Sequence, residues 1–285
     1  MFYLIRILIL IVIFIPAPSF SRNYCENPGF FVLTVPKAGS FLIMKLLVML
    51  TNQNPAPCMI EFPQLGGFFF PEDGSEHQIM QEELEFFCDK WKNENSFSLA
   101  HFNFSNPFFL FSIKHPEYIK ILQIRDLRDT LVSCAFFQSK EIEEETGFTV
   151  FDDMLMYLIR KNKTFPSPKI INIYRHAKNA LEWVKEPNVF VCRFEDIVGV
   201  KGGGNLEIQQ KNIVMLANLL NISLTQVELN EISNDLFGID KGYGMTFREG
   251  KIGSWKQFFK EEHIKAFEEE GWVDLQLGLG YPLDW

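Results

Sequence analysis

The feature that most constrains this chain is the stretch "FFVLTVPKAGSFLIMKLLVML", from Phe30 to Leu50. A short run rich in aromatic and β-branched residues stops at Pro36, and a longer apolar run begins at Phe41. The first reads as a buried strand and the second as a buried helix. A strand that runs straight into a helix leaves N–H groups unpaired at the helix start, where the helix dipole adds partial positive charge. That combination favours an anion. Gly39 lets the backbone approach a phosphate closely, Lys37 adds a point charge and Ser40 adds a hydroxyl donor. The spacing differs from the GxxxxGK[ST] nucleotide loop, in which the lysine and hydroxyl serve the phosphates and magnesium. Here the lysine precedes the glycine, and no residue stands out as a metal holder. Taken alone, the joint is equally compatible with an ordinary strand-to-helix turn.

Similar alternation continues along the chain. Strands are predicted at Phe30–Val35, Phe97–Ala100, Tyr118–Ile124 and Asn188–Arg193. Helices are predicted at Phe41–Leu50, Asp129–Gln138, Phe151–Lys161, Ile170–Lys185, Glu207–Leu220, Thr225–Ile232 and Glu261–Glu270. Thr225 and Glu228 have capping-box spacing. Strands separated by helices imply an α/β fold: a mainly parallel central sheet covered by helices on both faces. Loops are expected at Asn52–Ser75, at the acidic Glu141–Gly147 and at the glycines Gly202–Gly204, the last read as flexible. No linker divides the body, so one domain is expected over residues 27–285.

The N-terminus is different in kind. A short start with one positive charge, Arg6, precedes the apolar run Ile7–Ile15, and Pro16 to Ser21 follow. This is the three-part layout of a secretory signal over residues 1–21. Uncleaved, the run would be a short membrane anchor, since a bilayer crossing needs about 20 apolar residues. The expected location is therefore the secretory pathway or a membrane, or the cytoplasm if the segment is not a working signal. The net charge of −9 argues against nucleic acid as a partner. It leaves room for a small anionic ligand held by local cations. The five cysteines, Cys25, Cys58, Cys88, Cys134 and Cys192, form no CxxC pair, which argues against zinc. Cys134 and Cys192 read as small core residues.

Three further stretches bear on the joint at Pro36. "ILQIRDLRDTLVSCAFF" places Arg125 at a strand end and Ser133 about two helical turns further on. "VFVCRFEDIVG" ends a strand with Phe194-Glu195-Asp196, and "FREGKIGSWKQFF" brings Arg248, Gly250, Gly253 and Trp255 together. In this order, the four elements resemble the sulfotransferases that use 3′-phosphoadenosine 5′-phosphosulfate. Their P-K-x-G-[ST] loop takes the 5′-phosphosulfate, and R-D-x-x-D-x-x-x-S takes the 3′-phosphate. A [YF]-E-D segment follows, and R-x-G-x-x-G-x-W-K closes over the nucleotide. The resemblance covers nearly everything after Asn27.

The resemblance implies a P-loop nucleotide hydrolase-like three-layer sandwich and a metal-independent sulfuryl transfer. The co-substrate would be 3′-phosphoadenosine 5′-phosphosulfate and the product adenosine 3′,5′-bisphosphate. Lys37 would stabilise charge on the leaving group. The backbone of Ala38, Gly39, Ser40 and Phe41 would cradle the 5′-phosphate. Arg125 and Ser133 would hold the 3′-phosphate, with Arg248, Glu249 and Gly250 as a second contact to it, and Phe194 would lie near the adenine. His101, in "FSLAHFNFS", fits the general base: a histidine poised near neutral pH can take an alcohol proton. The chain also departs from the family. Ser40 and Phe41 replace threonines and Leu42 a tryptophan. Glu249 occupies a site often filled by lysine and would repel a phosphate unless only its backbone makes contact, and Ser254 replaces a usual aspartate, a change able to loosen the closing segment.

Outside that resemblance, a surface ion-pair cluster is a minority alternative for Arg125, Asp126 and Asp129, while Phe194 reads as core and Trp255 as a packing anchor. Two other functional readings stay open: a catalytically degenerate nucleotide-binding or interaction protein of the same fold, and a P-loop-like nucleotide kinase that depends on ATP and magnesium. The acceptor expected is a hydroxyl, or less readily an amine, on a carbohydrate, lipid or small molecule. The Phe-rich loops lean toward an acceptor with an apolar portion.

Overall fold

A computed structural model describes residues 29–55, 96–100, 113–146, 151–161, 170–238 and 247–285. Five strands form one sheet: β1 (Phe30–Thr34), β2 (Asn54–Pro55), β3 (Ser96–Ala100), β4 (Ile119–Ile124) and β5 (Val189–Arg193). The order is β2-β3-β1-β4-β5, and every neighbouring pair is parallel. The helices are α1 (Ser40–Thr51), α2 (Leu127–Thr146), α3 (Phe151–Ile159), α4 (Ile173–Val184), α5 (Phe194–Ile197), α6 (Leu206–Leu219), α7 (Gln226–Asp235), α8 (Glu261–Glu269) and α9 (Trp272–Gly278).

Alternation along β1 explains the layering. Phe31 and Leu33 join one apolar cluster with α2, α3, α4, α8 and α9. Phe30 and Val32 join a second with α1, α6 and α7. Both faces of the sheet are covered, so all five β1 residues are buried. The fold is α/β, a parallel sheet between two helical layers.

Several expected boundaries move. The acidic run after Lys140 is not a loop: α2 continues to Thr146. Glu, Lys and Gln are good helix formers, and "SKEIEEET" holds no Gly or Pro to stop the helix. The triple glycine is not simply a flexible loop either. Val200–Gly202 is a turn of 3₁₀ helix, and the N–H of Ile252 donates to the carbonyl of Gly202 at 2.9 Å. A Cβ on Gly202 would stand 2.7 Å from the carbonyl oxygen of Gly250, so only glycine allows this approach. Asn54–Pro55, inside an expected loop, adds a short parallel edge strand beside β3. Thr225 and Glu228 close the anticipated capping box. Cys134 and Cys192 are buried thiols.

No helix among the described residues is long and apolar enough to cross a membrane. The signal-like segment 1–21 lies outside the described residues, as do Cys25, Cys58 and Cys88.

Candidate active site

Because the strands are parallel, β1, β4 and β5 end on the same edge of the sheet. Each runs directly into a candidate residue: β1 into Pro36–Gly39, β4 into Arg125, β5 into Phe194. This is where open parallel sheets bind ligands. A cavity of about 270 Å³ opens there, lined by Lys37, Gly39, Ser40, Phe41, Arg125, Ser133, Phe194, Arg248, Glu249 and Gly250 among others. Four segments far apart in the chain thus meet around one space. Ala38 is buried beneath it and does not line it. His101 lies outside the described residues. Ala100, just before it in sequence, ends β3 paired with Leu33 of β1. His115, His176 and His263 are described, and none lines the cavity.

The turn after β1 has an unusual backbone. Lys37 and Gly39 both take positive φ, 66° and 97°. Gly39 is the N-cap of α1, no side chain among the described residues caps that helix and its first turn holds no acid. The α1 N-terminus is therefore presented to the cavity through Gly39, Ser40, Phe41 and Leu42. A Cβ on Gly39 would stand 2.6 Å from Cδ2 of Phe194. The turn is held from beneath by Gln123 of β4, whose Nε2 donates to the carbonyl of Ala38 at 3.1 Å.

Among the described residues, two donors that belong to cavity-lining side chains are buried without a hydrogen-bond partner: the hydroxyl of Ser40 and Nε of Arg125. Unpaired buried polar atoms are costly, and a ligand with acceptor oxygens would satisfy both. Among the described residues, Lys37, Arg125 and Arg248 set three cations around the cavity against one carboxylate, Glu249, in a chain of net charge −9. Lys37 Nζ lies 4.1 Å from the centroid of Phe137.

Arg125 is buried, which overturns the reading of its cluster as a surface one. Its Nη2 donates to the carbonyl of Lys251 at 2.7 Å and lies 3.5 Å from Oδ2 of Asp129. Asp129 is fully buried and accepts from the N–H groups of Gly253 and Trp255, both at 2.8 Å. Asp126 instead pairs with Arg128, whose guanidinium stacks 3.9 Å from the Trp255 ring centroid. Trp255 is a buried anchor, as expected.

Two of the departures, Ser254 and Glu249, have partners in the structure. Ser254 does not loosen the closing segment: it is buried, donates to Asp129 Oδ1 at 3.0 Å and accepts from Arg248 Nη2 at 2.9 Å. Glu249 faces the cavity but sits 3.3 Å from Nη1 of Arg248, which offsets its charge. Burial lowers the pKa of Arg248, Glu249 and Asp129 act the other way, and nearby Arg125 adds to the lowering. An arginine remains a cation through such a shift.

Sequence reasoning passed over Gln123, Phe137, Phe237 and Phe247. The last three line the cavity. Phe137 was within reach, because it lies one helical turn beyond Ser133 on the same face. Phe237 and Phe247 pack edge to face, and no local pattern announces that contact.

The architecture is similar to that of mouse sulfotransferase SULT7A1, solved as a complex with PAP. The TM-score is 0.57 over 90% of this chain and 89% of that one, at 14% identity. No protein-family model and no curated sequence matches the chain. At that identity the likeness shows the fold alone, an α/β sheet between helical layers, and leaves the chemistry to the chain's own residues.

Proposed function

We propose that the protein is a sulfotransferase that moves a sulfuryl group from 3′-phosphoadenosine 5′-phosphosulfate to an acceptor hydroxyl, or less readily an amine. One observation carries this reading: the four motif segments converge on a single cation-rich cavity at the strand ends of a parallel sheet. The unpaired Ser40 hydroxyl and Arg125 Nε suit a ligand rich in acceptor oxygens. The bound co-substrate would supply an activated sulfuryl group and a nucleotide leaving group.

Lys37 and the α1 N-terminus stabilise charge that grows on the bridging oxygen as the S–O bond breaks. Arg125, Ser133 and Arg248 orient the nucleotide through its 3′-phosphate by charge-assisted hydrogen bonds. Phe194 packs near the adenine. His101 takes the acceptor proton. No step calls for a metal. The acceptor is a carbohydrate, lipid or small molecule, and Phe137 and Ile171 on the cavity wall suit one with an apolar portion. Residues 27–285 form the catalytic domain, and residues 1–21 act as a secretory signal or short anchor, which sequencing of the mature N-terminus tests.

Calorimetry with adenosine 3′,5′-bisphosphate, followed by transfer of labelled sulfuryl to an acceptor panel, tests the reading. Tight binding with turnover is expected. Binding without turnover favours a degenerate nucleotide-binding protein, a reading that Glu249 in the cavity supports. A requirement for ATP and magnesium would favour a kinase.

A further inference from the structure

The closing segment and α2 meet at one buried carboxylate. Asp129 Oδ1 accepts from the Ser254 hydroxyl at 3.0 Å, and that hydroxyl accepts from Arg248 Nη2 at 2.9 Å. Asp129 also binds the N–H groups of Gly253 and Trp255 and lies beside Arg125. The backbone of this segment is therefore held to α2 whether or not residue 254 has a side chain. The hydroxyl adds something different: a directional link from the buried charge to a guanidinium that lines the cavity.

We propose that Ser254 is a positioning residue for Arg248, handing the charge of Asp129 to the Arg248 guanidinium and so setting the register between Arg248 and Arg125. This rests on the reading of the cavity as a site for an adenosine carrying a 3′-phosphate. Arg248 also has Glu249 at 3.3 Å and the rings of Phe136 and Phe258 at 4.6 and 5.3 Å. Without the serine link, Glu249 is its strongest remaining partner and draws the guanidinium toward a carboxylate. A serine suits the relay because one hydroxyl can donate and accept at once. The two guanidiniums then address one phosphate from a common anchor, so the chain selects for a second phosphate on the ribose.

The test is calorimetry on the full chain with adenosine 3′,5′-bisphosphate and with adenosine 5′-monophosphate, which lacks the 3′-phosphate. Ser254→Ala should weaken the bisphosphate by roughly 10-fold and leave the monophosphate unchanged. Ser254→Thr, which keeps the hydroxyl, should restore binding. In an Arg248→Ala background, Ser254→Ala should cost nothing further. Equal losses on both ligands, no loss on either, or a full additional loss in that background would each overturn the proposal. If Ser254→Ala does not fold, Ser254→Cys, a weak donor of similar size, takes its place. Should the wild-type chain bind neither nucleotide, the bisphosphate reading fails and this inference fails with it. Wild-type binding that Ser254→Ala leaves intact sinks the inference alone.

Discussion

The guanidinium carbon of Arg125 lies 4.2 Å from the ring centroid of Phe194, and the same ring closes on Gly39. The ends of β1, β4 and β5 therefore meet in one stack. Cation–π contact and the bond to Lys251 hold Arg125 in place before any ligand arrives. Arg125→Ala should weaken adenosine 3′,5′-bisphosphate by roughly 10- to 100-fold, since it removes charge-assisted hydrogen bonds. Calorimetry measures this, and an unchanged dissociation constant would remove Arg125 from the site.

Gly39→Ala should destabilise the fold. The backbone there takes φ of 97°, and the new Cβ would stand 2.6 Å from Phe194. The left-handed backbone alone costs on the order of 1–3 kcal/mol, and the clash adds to it. Thermal melting should fall by several degrees. A melting curve that overlays the wild type would mean the turn relaxes freely.

Lys37→Ala and His101→Ala should each cut the transfer rate by at least roughly 100-fold, the scale of losing charge stabilisation or a general base. Nucleotide affinity should change little in His101→Ala, because its role concerns the acceptor. Single-turnover transfer separates the two effects. Undiminished turnover in either variant strikes that residue from the mechanism.

Glu195 should make stability depend on pH. Burial pushes its carboxyl above the ordinary value of 4.5, although the Asp126 N–H, the Tyr281 hydroxyl and the Arg125 charge pull it down. The unfolded chain therefore ionises first as pH rises. The contribution of this group is greatest below 4.5 and is lost as pH climbs through the raised folded value. Glu195→Gln has no such charge and can still accept from Asp126 and donate to Tyr281. Its melting temperature should gain on the wild type as pH rises above 4.5, and the gap should then level off. A gap independent of pH would show that Glu195 ionises normally.

Arg128→Ala should cost about 3–5 kcal/mol, because it strands the Asp126 carboxylate beside a buried cavity. Arg128 is the hub of a second network: it pairs with Asp126 at 2.6 Å and Asp284 at 2.9 Å, and lies between Trp255 and Trp285. Denaturant unfolding measures the loss. A change under about 0.5 kcal/mol, the scale of an ordinary surface substitution, would contradict this role.

The strand-loop-helix joint and the order of the cationic segments were legible because they are local. A short apolar run, a turn and a helix occupy adjacent residues, and parallel topology then brings the strand ends together. The extension of α2 through Glu141–Thr146 is not legible from charge alone, because an acidic run without Gly or Pro suits a solvated helix as well as a loop. The bonds of Ser254 are not legible in the sequence, because its partners Asp129 and Arg248 lie 125 and 6 positions away and no spacing links all three. Gly202 read as flexible for a similar reason: its tightness depends on Gly250 and Ile252, close to fifty residues away. What the sequence hides is which distant backbone leans on a small residue.

The link between Arg128 and Asp284 spans 156 positions of the chain. On a translating ribosome at about 5–20 residues per second, Arg128 emerges roughly 8–30 s before its partner. For most of that interval the start of α2 has no Trp255 to stack on, and Asp129 has none of the amides it will grip. This corner of the fold therefore sets late, after the segment that holds Gly253 and Trp255 has been made, and slow translation of that segment would lengthen the time the corner stands open to chaperones.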